Sequence, residues 1–199
     1  MHKSSSPARG LVSGAALLLA LCIPGTSRAQ GKFHFDVDYH YALGLRESFP
    51  SGHFGRDYLH MGGHSIRFTG RYDVARRLST GVGFGWDRYT QDDYNTLPLM
   101  ATLRYKPLRG CESAYVFTDL GYGIRPKDTY TSGFVANLGL GYTWMLAPHF
   151  GLNFQLAYNY KALDDAYARA ILGGEGMPVD YELLDARRHS LWLGIGMTF

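Results

Sequence analysis

Four residues early in the chain, His34, Asp36, Asp38 and His40, stand two apart. In an extended strand that spacing puts all four on one face. Imidazoles and carboxylates together are a metal-ligand set, but ligands must converge in three dimensions, and four along one straight strand converge badly. Guanidinium groups across a hairpin suit those carboxylates better, and the chain supplies them. At matching positions of successive segments lie Asp36, Asp38, Asp73, Asp87 and Asp119, together with Arg67, Arg71, Arg104, Lys106 and Arg125. Acids and bases cancel, which points to a structural ion-pair network more than to a catalytic centre. With the first short turn centred near Ala75–Arg76, Asp38 is expected about opposite Arg71 as a cross-strand pair.

Nucleophilic chemistry finds less support. Acyl transfer needs a Ser activated by a neighbouring His. His64-Ser65 and His189-Ser190 are adjacent in sequence, so in a strand the members of each pair point to opposite faces. Cys111 sits in Arg109-Gly110-Cys111-Glu112, which reads as a turn with no base beside the thiol. No enzyme, metal or cofactor is expected.

The elements that position these residues have a period of two. Eight segments alternate: from Phe33 to Leu43, Ser65 to Val74, Leu78 to Asp87, Leu97 to Lys106, Val116 to Arg125, Phe134 to Trp144, Leu152 to Tyr160 and Ser190 to Phe199. One parity holds Leu, Phe, Val, Ile, Tyr and Trp. The other mixes Gly with Asp, Arg, Asn, Gln and Thr. Connections alternate too. Ala75–Arg77, Pro107–Ser113 and Leu146–His149 are short, whereas Arg46–Met61, Tyr89–Thr96, Pro126–Ser132 and Ala162–Arg188 are longer. Within the last, Asp164 to Leu172 is expected to form a short helix ended by Gly173-Gly174.

Even strand number, short turns at one end and longer loops at the other describe a closed barrel spanning a bacterial outer membrane. Hydrocarbon forbids an open sheet edge and penalises charge, so the apolar parity faces lipid and the polar parity the lumen. Aromatics mark both interfaces: Phe33, Tyr72, Tyr105, Trp144, Phe150 and Phe199 at the short-turn end, Trp86, Tyr89, Tyr122, Phe134 and Tyr160 at the other. A soluble β-sandwich leaves the paired charges and glycines of the polar parity unexplained. Eight strands leave room only for side chains. The lumen glycines either make space for long Arg and Trp192 side chains or line a pocket for a small apolar ligand.

Residues 1–29 read as a secretory signal. Lys3 and Arg9 precede an apolar run from Leu11 to Ile23, and Ser27-Arg28-Ala29 suits cleavage before Gln30. Lipoprotein processing at Cys22 is the alternative. The whole chain of 199 residues has 20 Lys and Arg against 17 Asp and Glu. Removing Lys3, Arg9 and Arg28 leaves 17 of each sign, so nucleic-acid binding loses its support. Cys111 then remains as a lone thiol, and no disulfide is expected.

Residues 30–199 resemble the small eight-stranded outer-membrane barrels of the OmpA/OmpX type. The resemblance rests on the leader, the strand count, the turn and loop alternation, and the last strand. Leu191, Leu193, Ile195, Met197 and Phe199 alternate toward a terminal Phe, similar to the signal this family offers to the barrel-assembly machinery. It implies an all-β, antiparallel up-and-down transmembrane barrel, a monomer, located in the outer membrane; in a departure from OmpA itself, no peptidoglycan-binding domain is expected after it. The expected role is a structural scaffold or surface binder. Its lumen is expected to be plugged by Asp36, Asp38, Arg67, Arg71, Asp87, Arg104, Asp119 and Arg125. Outer-membrane lipids and lipopolysaccharide are the expected partners, the latter through Lys161, Arg187, Arg188, His189 and Arg88 at the outer rim. A narrow transport barrel for small or hydrophobic molecules is the alternative, and a lipid-modifying enzyme a third.

Overall fold

The computed structural model describes residues 33–50, 52–55, 62–90, 95–108, 110–127, 130–172 and 178–199. The expected leader, its cleavage site and Cys22 lie outside them. The alternating segments form one antiparallel sheet. Its strands are β1 (Phe33–Phe49), β2 (Gly52–Gly55), β3 (Gly62–Ala75), β4 (Leu78–Tyr89), β5 (Asn95–Tyr105), β6 (Ala114–Ile124), β7 (Gly133–Ala147), β8 (Phe150–Leu172) and β9 (Pro178–Thr198). Every long strand pairs with its neighbour in sequence, and β1 also pairs with β9 from Asp36 opposite Thr198 to Ser48 opposite Arg187. The sheet is therefore a closed barrel of eight strands, with β2 riding on the end of β1 as a short hairpin arm.

Burial is inverted relative to a water-soluble protein. Leu138 is 66% and Phe84 58% exposed on the outside, whereas Lys161, Asp36 and Asn153 are 0% exposed inside. A continuous apolar exterior around a polar interior is the surface that lipid requires. Closure supplies the other requirement, because every ladder N–H and C=O then finds a partner.

Three local expectations are corrected. The segment from Asp164 to Leu172 is not a helix. It continues β8, paired with β9 out to Leu172 opposite Pro178. So short a helix is marginal alone, while an extended ladder satisfies the backbone of both segments. A bulge between Leu163 and Tyr167, with Asp165 at φ 53°, resets the phase there, a conformation Asp tolerates better than most residues. Second, the first outer connection is shorter than expected, because β1 runs on to Phe49. Third, Asp38 stands opposite Arg67, and Arg71 opposite His34. The long outer connection, not the turn at Ala75–Arg76, joins β1 to β3, so that turn does not set their register.

A second bulge has consequences inside. Between Gly44 and Arg46 the β1–β9 register shifts by one residue. Leu45 and Arg46 both face out, and Glu47 rather than Arg46 turns inward, opposite Arg188. One inserted residue thus moves a carboxylate into the lumen.

Candidate functional site

The lumen is filled in layers. Nearest the short turns, Arg71 donates to both oxygens of Asp36, Nη2 to Oδ1 at 3.0 Å. Arg104 reaches the same carboxylate at 3.4 Å while its guanidinium lies 3.9 Å from the Tyr115 ring centroid. Asp38 takes a different partner, accepting from Asn153 at 3.2 Å, and Asn153 in turn accepts from Thr143.

The middle layer is uncharged apart from Asp119. His40 and Gln155 share a 2.8 Å bond, and Gln155 donates to Tyr115 at 3.2 Å. Around them pack Ala42, Phe117, Ala157 and Trp192. Asp119, half-buried, accepts from Asn137, which accepts from Asn159.

The outer layer centres on Asp87. Its carboxylate accepts from Ser65 at 2.5 Å, Arg67 at 3.0 Å, Thr96 at 3.1 Å and the Lys161 ammonium. Arg67 lies 4.8 Å from the Trp192 ring centroid, and Lys161 4.7 Å from that of Tyr89. Above, Arg188 donates to Glu47 at 2.7 Å and its guanidinium lies 4.3 Å from the same Tyr89 ring centroid. Further out, Leu163, Ala166 and Ala186 form a buried apolar cluster with Phe49 packed against it.

Of the expected network, Asp36, Arg71 and Arg104 form one cluster and Asp87 and Arg67 another. Asp38 and Asp119 are held by amides. Arg125 stands exposed beyond the end of β6, because the strand ends one residue earlier. Lys161 and Arg188, expected at the outer rim, are buried inside. Tyr89, expected in the outer aromatic girdle, is 4% exposed and faces the lumen. Arg88, Arg187 and His189 do point outward. His34, Asp36, Asp38 and His40 each take a different partner: Asp73, Arg71, Asn153 and Gln155. The members of both His–Ser pairs separate as their spacing requires. Ser65 donates to Asp87, whereas His64 lies outside against the Tyr39 hydroxyl at 2.6 Å. Ser190 is buried, and His189 lies outside against Tyr158.

The inward glycines give up their volume to these side chains. A Cβ on Gly85 would come within 2.6 Å of Arg67 Cδ, and one on Gly141 would enter the Tyr115 ring. Lys161 was legible in principle, since Asn153, Gln155, Ala157 and Asn159 lead to it in steps of two. Arg188 precedes Ser190 and Trp192 in the same way. Glu47 was not legible, because the bulge hides its parity.

No family model matches the chain, and no curated protein is found similar to it. Among solved structures, it is similar to Neisserial surface protein A (NspA), with TM-score 0.51 and 14% identity over 83% of this chain and 98% of that one. Weaker likenesses are to OprG from Pseudomonas aeruginosa (TM-score 0.43, 15% identity, 84% and 95% covered) and to AlkL in lipid bilayers (TM-score 0.43, 14% identity, 88% and 94% covered). At such identities the likeness is one of fold, and the fold is that of a closed eight-stranded outer-membrane β-barrel.

Proposed function

We propose that this barrel is a closed envelope scaffold whose activity lies at its outer surface and not in passage through its lumen. The observation that carries this is the Asp87 cluster. Two cations and two hydroxyls converge on one fully buried carboxylate, between aromatic rings and with a buried apolar cluster further out. Moving an ion past it means separating buried charges, which is costly. Of the glycines that keep the transport alternative alive, Gly83, Gly85, Gly139, Gly141, Gly194 and Gly196 have the space beside them occupied by neighbouring side chains.

In this reading the short turns lie in the periplasm and the long loops outside. The outer rim then meets lipopolysaccharide. Arg46 and Arg88 project outward in register with His189 and His64. Those histidines pack on interface tyrosines: His64 on Tyr41 at 5.4 Å and His189 on Tyr160 at 5.2 Å between ring centroids. Cations beside an aromatic belt sit at headgroup height, where lipid phosphates offer charge-assisted hydrogen bonds. The reading includes no catalytic step.

Liposome swelling in small sugars tests the closed lumen, and swelling no faster than protein-free vesicles is expected. For the rim, the combined Arg46→Gln, Arg88→Gln and Arg187→Gln variant is expected to fold normally and retain less lipopolysaccharide on purification. Rapid swelling would put transport in place of this reading, and undiminished lipopolysaccharide would remove the rim contact.

A further inference from the structure

The two ends of the lumen differ. Toward the outer end the Asp87 cluster is followed by a buried apolar cluster, whereas the short-turn end opens into a cavity of about 790 Å³, within the range of small-molecule sites. Its floor is the Asp36 cluster, where two guanidiniums share one carboxylate. Asp38, deeper and held by Asn153, tempers that charge. Acids on the walls have hydrogen-bonding partners: His34 meets Asp73 at 3.1 Å, and Arg76 meets Glu112 at 3.3 Å. Lys106 also lines the cavity; it acts on the Asp73 carboxylate at longer range but makes no ion pair within 4 Å among the described residues. Arg104 is 6% exposed, and its Nε finds no hydrogen-bond partner there either. Two cationic points, one on the floor and one on the wall, thus face a space far larger than a water molecule.

We propose that this vestibule binds a small anion bearing more than one oxyanion group, carboxylate or phosphate, with Lys106 and Arg104 as its anchors. The site is blind, since the middle layer and the Asp87 cluster lie behind it, so it binds without passing its ligand onward. It rests on the barrel fold. The orientation given above only names its compartment as the periplasm, where a soluble polyanion or a two-phosphate phospholipid headgroup offers the same chemistry.

The test uses the refolded barrel in phosphatidylcholine nanodiscs, titrated with inorganic pyrophosphate and with citrate by calorimetry. Saturable binding of at least one probe is expected. Lys106→Gln should weaken it about fivefold, the size of one partly screened charge contact, while Lys106→Arg keeps it. A second arm uses discs containing cardiolipin, whose headgroup carries two phosphates. If wild type retains that lipid through delipidation and Lys106→Gln does not, the headgroup is the source of the anion. Absence of both free-anion binding and selective lipid retention would overturn the site, as would equal strength in Lys106→Gln. Neither readout depends on conductance, so an open lumen would remove the scaffold reading and the blindness of the site, and leave the anion binding itself standing.

Discussion

The two charge clusters of the lumen share a plan and differ in their surroundings. In each, two cations converge on one aspartate: Arg67 and Lys161 on Asp87, Arg71 and Arg104 on Asp36. Around Asp87 the remaining valences are met by Ser65 and Thr96, the cations lie against Trp192 and Tyr89, and a buried apolar cluster of Leu163, Ala166 and Ala186 lies further out. Around Asp36 the cations border a cavity open to solvent. In the readings proposed above, the same ion-pair chemistry serves as a plug where side chains enclose it and as the floor of a binding site where it borders a cavity. Access to solvent, not residue type, sets the role.

That difference can be broken by substitution. Asp87→Ala strands two buried cations with no water to replace the carboxylate, and should cost about 3–5 kcal/mol. Urea unfolding in lipid vesicles measures it, and a loss no larger than that of Asp36→Ala would remove the distinction. Asp36→Ala should cost less, about 2 kcal/mol, because vestibule water can rehydrate Arg71 and Arg104. Gly85→Ala presses on Arg67 in the outer cluster. Since that side chain is flexible, about 1 kcal/mol is expected from the same titration, and a neutral result would mean Arg67 has room to spare. Arg76→Ala removes a pair whose side chains are 84% and 60% exposed, and no measurable change is expected.

Much of this architecture was legible because lipid imposes a strict rule on each strand. Alternation from Phe33 to Leu43 or from Leu191 to Phe199 gives the strand, its faces and the side that meets hydrocarbon. The identity of lumen residues follows while parity is unbroken, as it does for Asp36, Arg67, Arg71, Asp87 and Arg104. It fails where one residue is inserted. The bulge at Leu45 sends Glu47 inward, and the one after Leu163 lets β8 continue where a helix was expected. Partner choice was also hidden. Arg71 reaches diagonally to Asp36 rather than across to its register neighbour, since register depends on a long connection and a guanidinium spans more than one rung. The vestibule had no sequence signature, because it is made by the ends of strands distant along the chain.

Single-channel recording of the refolded barrel in planar bilayers tests the closed lumen most directly. The wild type and Arg76→Ala should be silent, while Asp87→Ala, having lost the carboxylate that joins Arg67 to Lys161, should show brief leak events. Steady conductance in the wild type would contradict a lumen closed by its ion pairs.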